Sequence, residues 1–182
     1  MTIVECAVRF AAIEATVQEA RHPGHNPARW AMPLIAEADR LAGGVWSLAI
    51  FDASEAGALW LAPHAGEPCH GDTAWLGGDA LQPGQCLTDA TTWLKEHQTY
   101  AASNPSCWSR IVAARDATWA PIVVAPFPVG DRTAPVGTPW VVIDGLHRAI
   151  GWGLRPHPSP LHAFVAGPAI GSAAAVHGSD GR

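Results

Sequence analysis

The chain is poor in charge. Asp, Glu, Lys and Arg make up 15% of its 182 residues, and Lys95 is the only lysine beside ten arginines. We read that imbalance as a GC-rich coding bias and attach no chemistry to it. The formal net charge is −5. A broad nucleic-acid surface needs a basic stripe, so that class is set aside, although a local basic pocket is not. Cysteines are few: Cys6, Cys69, Cys86 and Cys107. No two of them form a CxxC pair, which leaves a zinc ribbon or dithiol redox motif without support. A P-loop and an internal repeat are both missing. No apolar run is long enough to span a membrane, and no basic-then-apolar leader opens the chain. These absences lead us to expect a cytoplasmic protein with reduced thiols, no nucleic-acid partner and no membrane partner. They leave the oligomeric state open.

What is present is apolar. Hydrophobic residues make up 48% of the chain, enough for a sizeable core and against wholesale disorder. The length suits one domain, at most with an appended subdomain. Nine tryptophans are many for this length. Most are expected in the core, with a few left to line a pocket.

Taken in order, Ile3 to Arg9 alternates loosely, as a strand does. Phe10 to Arg21 has Ile13, Val17 and Ala20 at helical spacing, and His22-Pro23-Gly24 stops it. His22 and His25 lie three apart, but no carboxylate or cysteine completes a metal set, so a Pro/Gly loop is the preferred reading. Ala31 to Ala42 is a second helix, ended by Gly43-Gly44. Val45 to Phe51 and Ala58 to Ala62 read as the two strands of a β-hairpin. Residues 63–85 are rich in Gly and Pro and carry His64, Glu67, Cys69, His70, Asp72 and Asp79. Adjacent Cys69-His70 ligate poorly together, so a surface loop, able to serve as a lid, is preferred over a metal site. Thr88 to Ala102 is expected to be one helix, capped by Thr88 or Asp89, with Trp93, Leu94, His97 and Tyr100 on its buried face. Asn104-Pro105 breaks it, and Ser106 to Arg115 starts another. Pro168 to Arg182 is a small, polar tail.

The densest signal is Trp140-Val-Val-Ile-Asp-Gly-Leu-His-Arg-Ala-Ile-Gly-Trp-Gly-Leu154. The run from Trp140 to Ile143 suits a strand covered on both faces. Asp144-Gly145 ends it. Leu146, Ala149, Ile150, Gly153 and Leu154 then recur at helical spacing and predict the face packed on the sheet. His147, Arg148, Gly151, Trp152 and Arg155 fall on the opposite face. Gly145 has no Cβ to obstruct a bulky group approaching the backbone. The amides after it point out of a helix start, where the dipole favours an anion. His147 and Arg148 add donors, and Arg can grip a phosphate with two parallel hydrogen bonds. The pattern predicts a phosphate cradle on a turn.

Asp144-Gly145-Leu146-His147-Arg148 between a strand and a helix resembles the D-G-x-H-R signature of the ParB/sulfiredoxin-like superfamily. The flanks agree: Ala120-Pro-Ile-Val-Val-Ala125 resembles the preceding strand, Leu161 to Ala166 the following one, and Trp108 to Arg115 the helix leading in. The resemblance runs from about Pro105 to Gly167. It implies an α+β fold with a mixed sheet. Residues 88–167 would form the nucleotide-binding core, residues 1–87 would pack on it as a helical and hairpin segment, and residues 168–182 would trail. It also implies nucleotide phosphates held by Gly145, Leu146, His147 and Arg148, with Ser109 and Arg110 of the preceding helix as candidates.

Three functions follow from the resemblance. Sulfiredoxins carry a cysteine just before the His-Arg pair; here that position is Leu146, so sulfinic-acid reduction lacks its nucleophile. Free-serine-kinase-like members keep the Asp, as Asp144 does. A carboxylate beside a phosphate site makes sense as a base for a substrate hydroxyl or amine, or as a Mg²⁺ ligand. Its structural alternative is a helix cap paired with Arg148 four residues on. The favoured expectation is an ATP- or ADP-dependent, Mg²⁺-assisted phosphotransferase for an amino-acid-like or other small metabolite. The alternatives are a nucleotide-binding switch without turnover and a partner-binding protein on the same fold.

Overall fold

A computed structural model describes residues 1–20, 27–61, 85–97, 99–117, 120–130 and 134–167. The histidine pair at 22 and 25, nearly all of the 63–85 loop and the tail from 168 lie outside the described residues. The fold is α+β. Its elements run β1 (Thr2–Cys6), α1 (Phe10–Glu19), α2 (Pro27–Leu41), β2 (Trp46–Phe51), α3 (Ala53–Gly57), β3 (Trp60–Leu61) and β4 (Gln85–Cys86). They continue with α4 (Leu87–Glu96), α5 (Tyr100–Ser103), α6 (Pro105–Asp116), β5 (Ile122–Ala125), β6 (Val141–Asp144), α7 (Leu146–Gly153) and β7 (Leu161–Ala166).

The strands form one seven-stranded mixed sheet in the order β1-β2-β7-β5-β6-β3-β4. β5 pairs parallel with β7 and antiparallel with β6, and β3 pairs parallel with β6. The central strands are buried on both faces, as the apolar runs predict. Alternate residues serve two cores. Ile122, Val124, Val142, Leu161, Ala163 and Val165 join the cluster beneath α4 to α7. Val123, Ala125, Ile143, Phe164 and Ala166 join the cluster beneath α1 and α2. The period of two in side-chain direction is what divides them.

Two expectations fail here. β2 and β3 do not form a hairpin: β7, β5 and β6 lie between them. Asp52 begins α3 instead, accepting from the amides of Ser54 and Glu55, while Glu55 accepts from the Asp52 amide. This reciprocal cap favours a helical turn over a hairpin loop. The strands of residues 1–87 extend the sheet from both edges. Finally, the expected helix over 88–102 is two helices, α4 and α5, separated at His97. Buried Leu87 draws the start of α4 to Cys86, ahead of Thr88 and Asp89. His97 is exposed, its ring stacked on Trp93, whereas Tyr100 is buried as expected.

Candidate functional site

Asp144 is the last residue of β6, and Gly145 turns the chain into α7. Gly145 sits at φ 91°, ψ 25°, a left-handed conformation that L side chains adopt only at a cost. A Cβ there would also lie 2.7 Å from Ile122 Cγ2 and 2.9 Å from both Nε and Nη2 of Arg148. The space that the missing Cβ leaves is therefore taken by the protein itself.

Arg148 follows Gly145 by about one helical turn and folds back over it. Its Nη2 donates to Asp144 Oδ2 at 2.7 Å, with side-chain exposures of 15% and 17%. Its Nε is buried and has no hydrogen-bond partner among the described residues. A buried, unsatisfied guanidinium N–H is costly and is a donor in want of an acceptor. Asp144 does not cap α7: Gly145 holds that position with no side-chain cap. The pairing half of the structural alternative is present, and the capping half is not.

The face of α7 expected to look away from the sheet is partly covered. Gly151 and Trp152 are buried, and a Cβ at Gly151 would meet the backbone of α6 at 2.7 Å (Arg115 N) and 2.8 Å (Ile111 O). Three contacts set the direction of this crossing. Cys107 meets His147, Ile111 and Arg115 meet Gly151, and Arg155 Nε donates to Arg115 O at 2.8 Å. The two helices therefore run in the same sense, and their N-terminal ends lie side by side. Both positive dipole ends are brought to the Asp144–Arg148 turn. Leu146 is half-buried against the core. Ser109 is exposed and Arg110 half-buried in the second turn of α6, and neither is without an interaction.

Two residues at this site carry no local signal in the sequence. Tyr100 Oη donates to Cys107 Sγ at 3.0 Å, and that sulfur lies 3.4 Å from His147 Nε2. Cys107 and His147 are forty residues apart, and only the α6–α7 crossing joins them. Of the other described thiols, Cys6 is exposed and Cys86 half-buried. Burial pushes the Cys86 thiol above its ordinary range. Among the described residues, no three His, Cys, Asp or Glu side chains gather as a metal site, and no helix is long and apolar enough to cross a membrane.

A family model described as a family of unknown function (DUF6309) matches residues 1–182. The chain belongs to that family. No curated protein and no solved structure matches it. Membership of DUF6309 carries no reaction.

Gly145→Ala tests the local geometry. The substitution forces an L residue into the left-handed region and displaces Arg148. It should lower stability by about 1–3 kcal/mol and weaken the Asp144–Arg148 contact. Chemical denaturation reads the first effect, and the arginine side-chain NMR signal of Arg148 reads the second. A variant as stable as wild type, with an unmoved Arg148 signal, would contradict the described turn.

Proposed function

We propose that this turn is a nucleotide-phosphate site of the ParB/sulfiredoxin-like kind. The protein is then a cytoplasmic phosphotransferase that uses ATP or ADP with Mg²⁺ and acts on an amino-acid-like or other small metabolite. The observation that carries the reading is the buried Nε of Arg148, unpartnered among the described residues, beside two converging helix N-termini. Phosphoryl transfer needs chiefly positioning and charge neutralisation, and this arrangement is suited to both. Arg148, His147 and the amides opening α7 are donors and would neutralise the phosphates. Asp144 is an acceptor and would take the proton of a substrate hydroxyl or amine. Among the described residues it is a single carboxylate outside any three-residue cluster, a donor set that suits Mg²⁺ shared with substrate phosphates better than a metal caged by protein. The bound nucleotide would supply the phosphoryl group.

A second reading has one observation in its favour. Asp144 is already engaged by Arg148. A phosphate that replaced Asp144 on the guanidinium would report nucleotide binding without turnover, as a switch does. Thermal-shift measurements with ATP, ADP, CTP and GTP, with and without Mg²⁺, test the site. Mass spectrometry of the nucleotide after incubation with free amino acids, guanidino compounds and hydroxylated metabolites tests the reaction. A stabilising shift with nucleotide conversion is the expected result. A shift without conversion selects the switch, and no shift with any nucleotide removes both.

A further inference from the structure

We infer that the cavity between α4, α5 and α6 is a binding site for a small aromatic carboxylate, separate from the Asp144 turn and independent of what that turn binds. The cavity has a volume of about 290 Å³ and is lined along α6 by Trp108 and Arg115. Seven residues of helix separate those two, a length of about 10 Å. Arg115 stands in the last turn of α6 and Leu154 is the C-cap of α7. This part of the wall therefore lies at the far ends of the two helices whose starts meet at the turn. Small-ligand sites hold roughly 300–1,000 Å³. A cavity at the lower limit takes one ring system with a short acidic arm. The walls set the ring. Tyr100 is buried and meets the half-buried Trp108 edge-on, with ring centroids 6.3 Å apart and planes at 72°. His97 stacks on Trp93 at 4.1 Å. Its Nδ1 lies 2.8 Å from Trp93 O, and a carbonyl only accepts, so Nδ1 carries a hydrogen there. Rings that fix one another in this way present stiff, flat apolar surface.

Charge sets the acidic arm. Among the described residues, Lys95 and Arg115 line the cavity and no acidic side chain does. Arg115 already has a counter-charge: its Nε and Nη2 donate to Asp116 Oδ1 and Oδ2 at 2.7 and 3.1 Å. Lys95 is then the cation that the arm would meet. It stands in the last turn of α4, where a positive charge also offsets the helix dipole. Other side chains share that simpler role. His97 donates to Trp93 O at the end of α4, and Arg155 donates to Arg115 O and Ala117 O at 2.8 and 2.9 Å at the end of α6. An ammonium beside an aromatic wall suits a ligand with a ring at one end and a carboxylate at the other.

Because Lys95 is the only lysine, the test is direct. Reductive methylation of the full chain with ¹³C-formaldehyde keeps the charge of Lys95 and labels it beside the α-amine. The Lys95 signal is the one missing in Lys95→Met. Benzoate, phenylacetate and indole-3-acetate are the probes, used without nucleotide. At least one should shift the Lys95 signal saturably. Its primary amide, which lacks the charge, and acetate, which lacks the ring, should each bind at least roughly tenfold more weakly. Read from the probe's own proton signals, Lys95→Met should weaken binding roughly tenfold to a hundredfold, and Lys95→Arg should keep most of it. Ala101 also lines the cavity, so Ala101→Leu should abolish the shift while Lys95 stays in place. No saturable shift with any of the three probes would overturn the inference, whether or not the variants fold. So would an amide as tight as its acid, the behaviour of an apolar cleft only, or acetate as tight as the aromatic acids, the behaviour of a surface ammonium only. Undiminished binding in Lys95→Met would overturn it as well.

Discussion

Asp144→Asn is expected to slow phosphoryl transfer by about 10²–10⁴-fold, the usual worth of a positioned general base. It should not weaken nucleotide binding in the absence of Mg²⁺. The phosphates would be held by donors, and Asp144 is an acceptor that competes with them for Arg148 at 2.7 Å. Removing its charge removes both the competition and a repelling anion. Binding without Mg²⁺ should therefore be at least as tight as in wild type. The same substitution takes the charged partner from a largely buried guanidinium, so the free protein should lose about 1–3 kcal/mol of stability. Bound nucleotide should restore that loss, giving a larger thermal shift in the variant than in wild type. If Asp144 ligates Mg²⁺, affinity for the Mg²⁺–nucleotide complex falls together with turnover. Paired titrations with and without Mg²⁺, beside a rate assay, separate base from ligand. Full activity in Asp144→Asn would remove both roles and leave the carboxylate as the counter-charge of Arg148.

Arg148→Ala should weaken nucleotide binding by roughly tenfold to a hundredfold, since a charged hydrogen bond contributes about 1.5–3 kcal/mol. Two effects combine in that figure. The guanidinium is lost as a donor, and Asp144 is left unpaired beside the anion. The double variant Asp144→Asn/Arg148→Ala isolates the first, because it carries neither charge. It should recover part of the affinity that Arg148→Ala loses, by the amount that the unpaired carboxylate repelled. Titration calorimetry on all four proteins closes the cycle, with circular dichroism to confirm that each is folded. An unchanged dissociation constant in folded Arg148→Ala would rule out the cradle. A double variant as weak as Arg148→Ala would show that Asp144 exerts no field on the bound phosphates.

The two experiments depend on a feature visible in the chain only as a possibility. Asp144 and Arg148 stand at i and i+4, the spacing of a helical ion pair and equally of a cap and a free cation. Which one holds depends on where α7 begins. Gly145, at φ 91°, holds the cap position itself and turns the arginine back over its own missing Cβ. Glycine in the sequence signalled a close approach but could not say what approaches. Within the protein, the atoms that a Cβ there would meet belong to Arg148 and Ile122.

By itself the sequence determined the strand, turn and helix of residues 141–153, the neighbouring strands at 122–125 and 161–166, and the residues gathered in the turn. These are local matters: an unbroken β-branched run, Asp-Gly, and apolar residues at helical spacing act within a few residues of one another. The tertiary structure alone decided that three strands separate β2 from β3, that α6 covers Gly151 and Trp152, and that Cys107 meets His147. Periodicity marks a face as apolar without naming what covers it. The close crossing depends on backbone at Ile111 and Arg115, far from Gly151 in sequence and matched to it only when both helices lie on the same sheet. The convergence of two helix starts on one turn follows from that crossing, because no residue in either helix specifies the direction of the other.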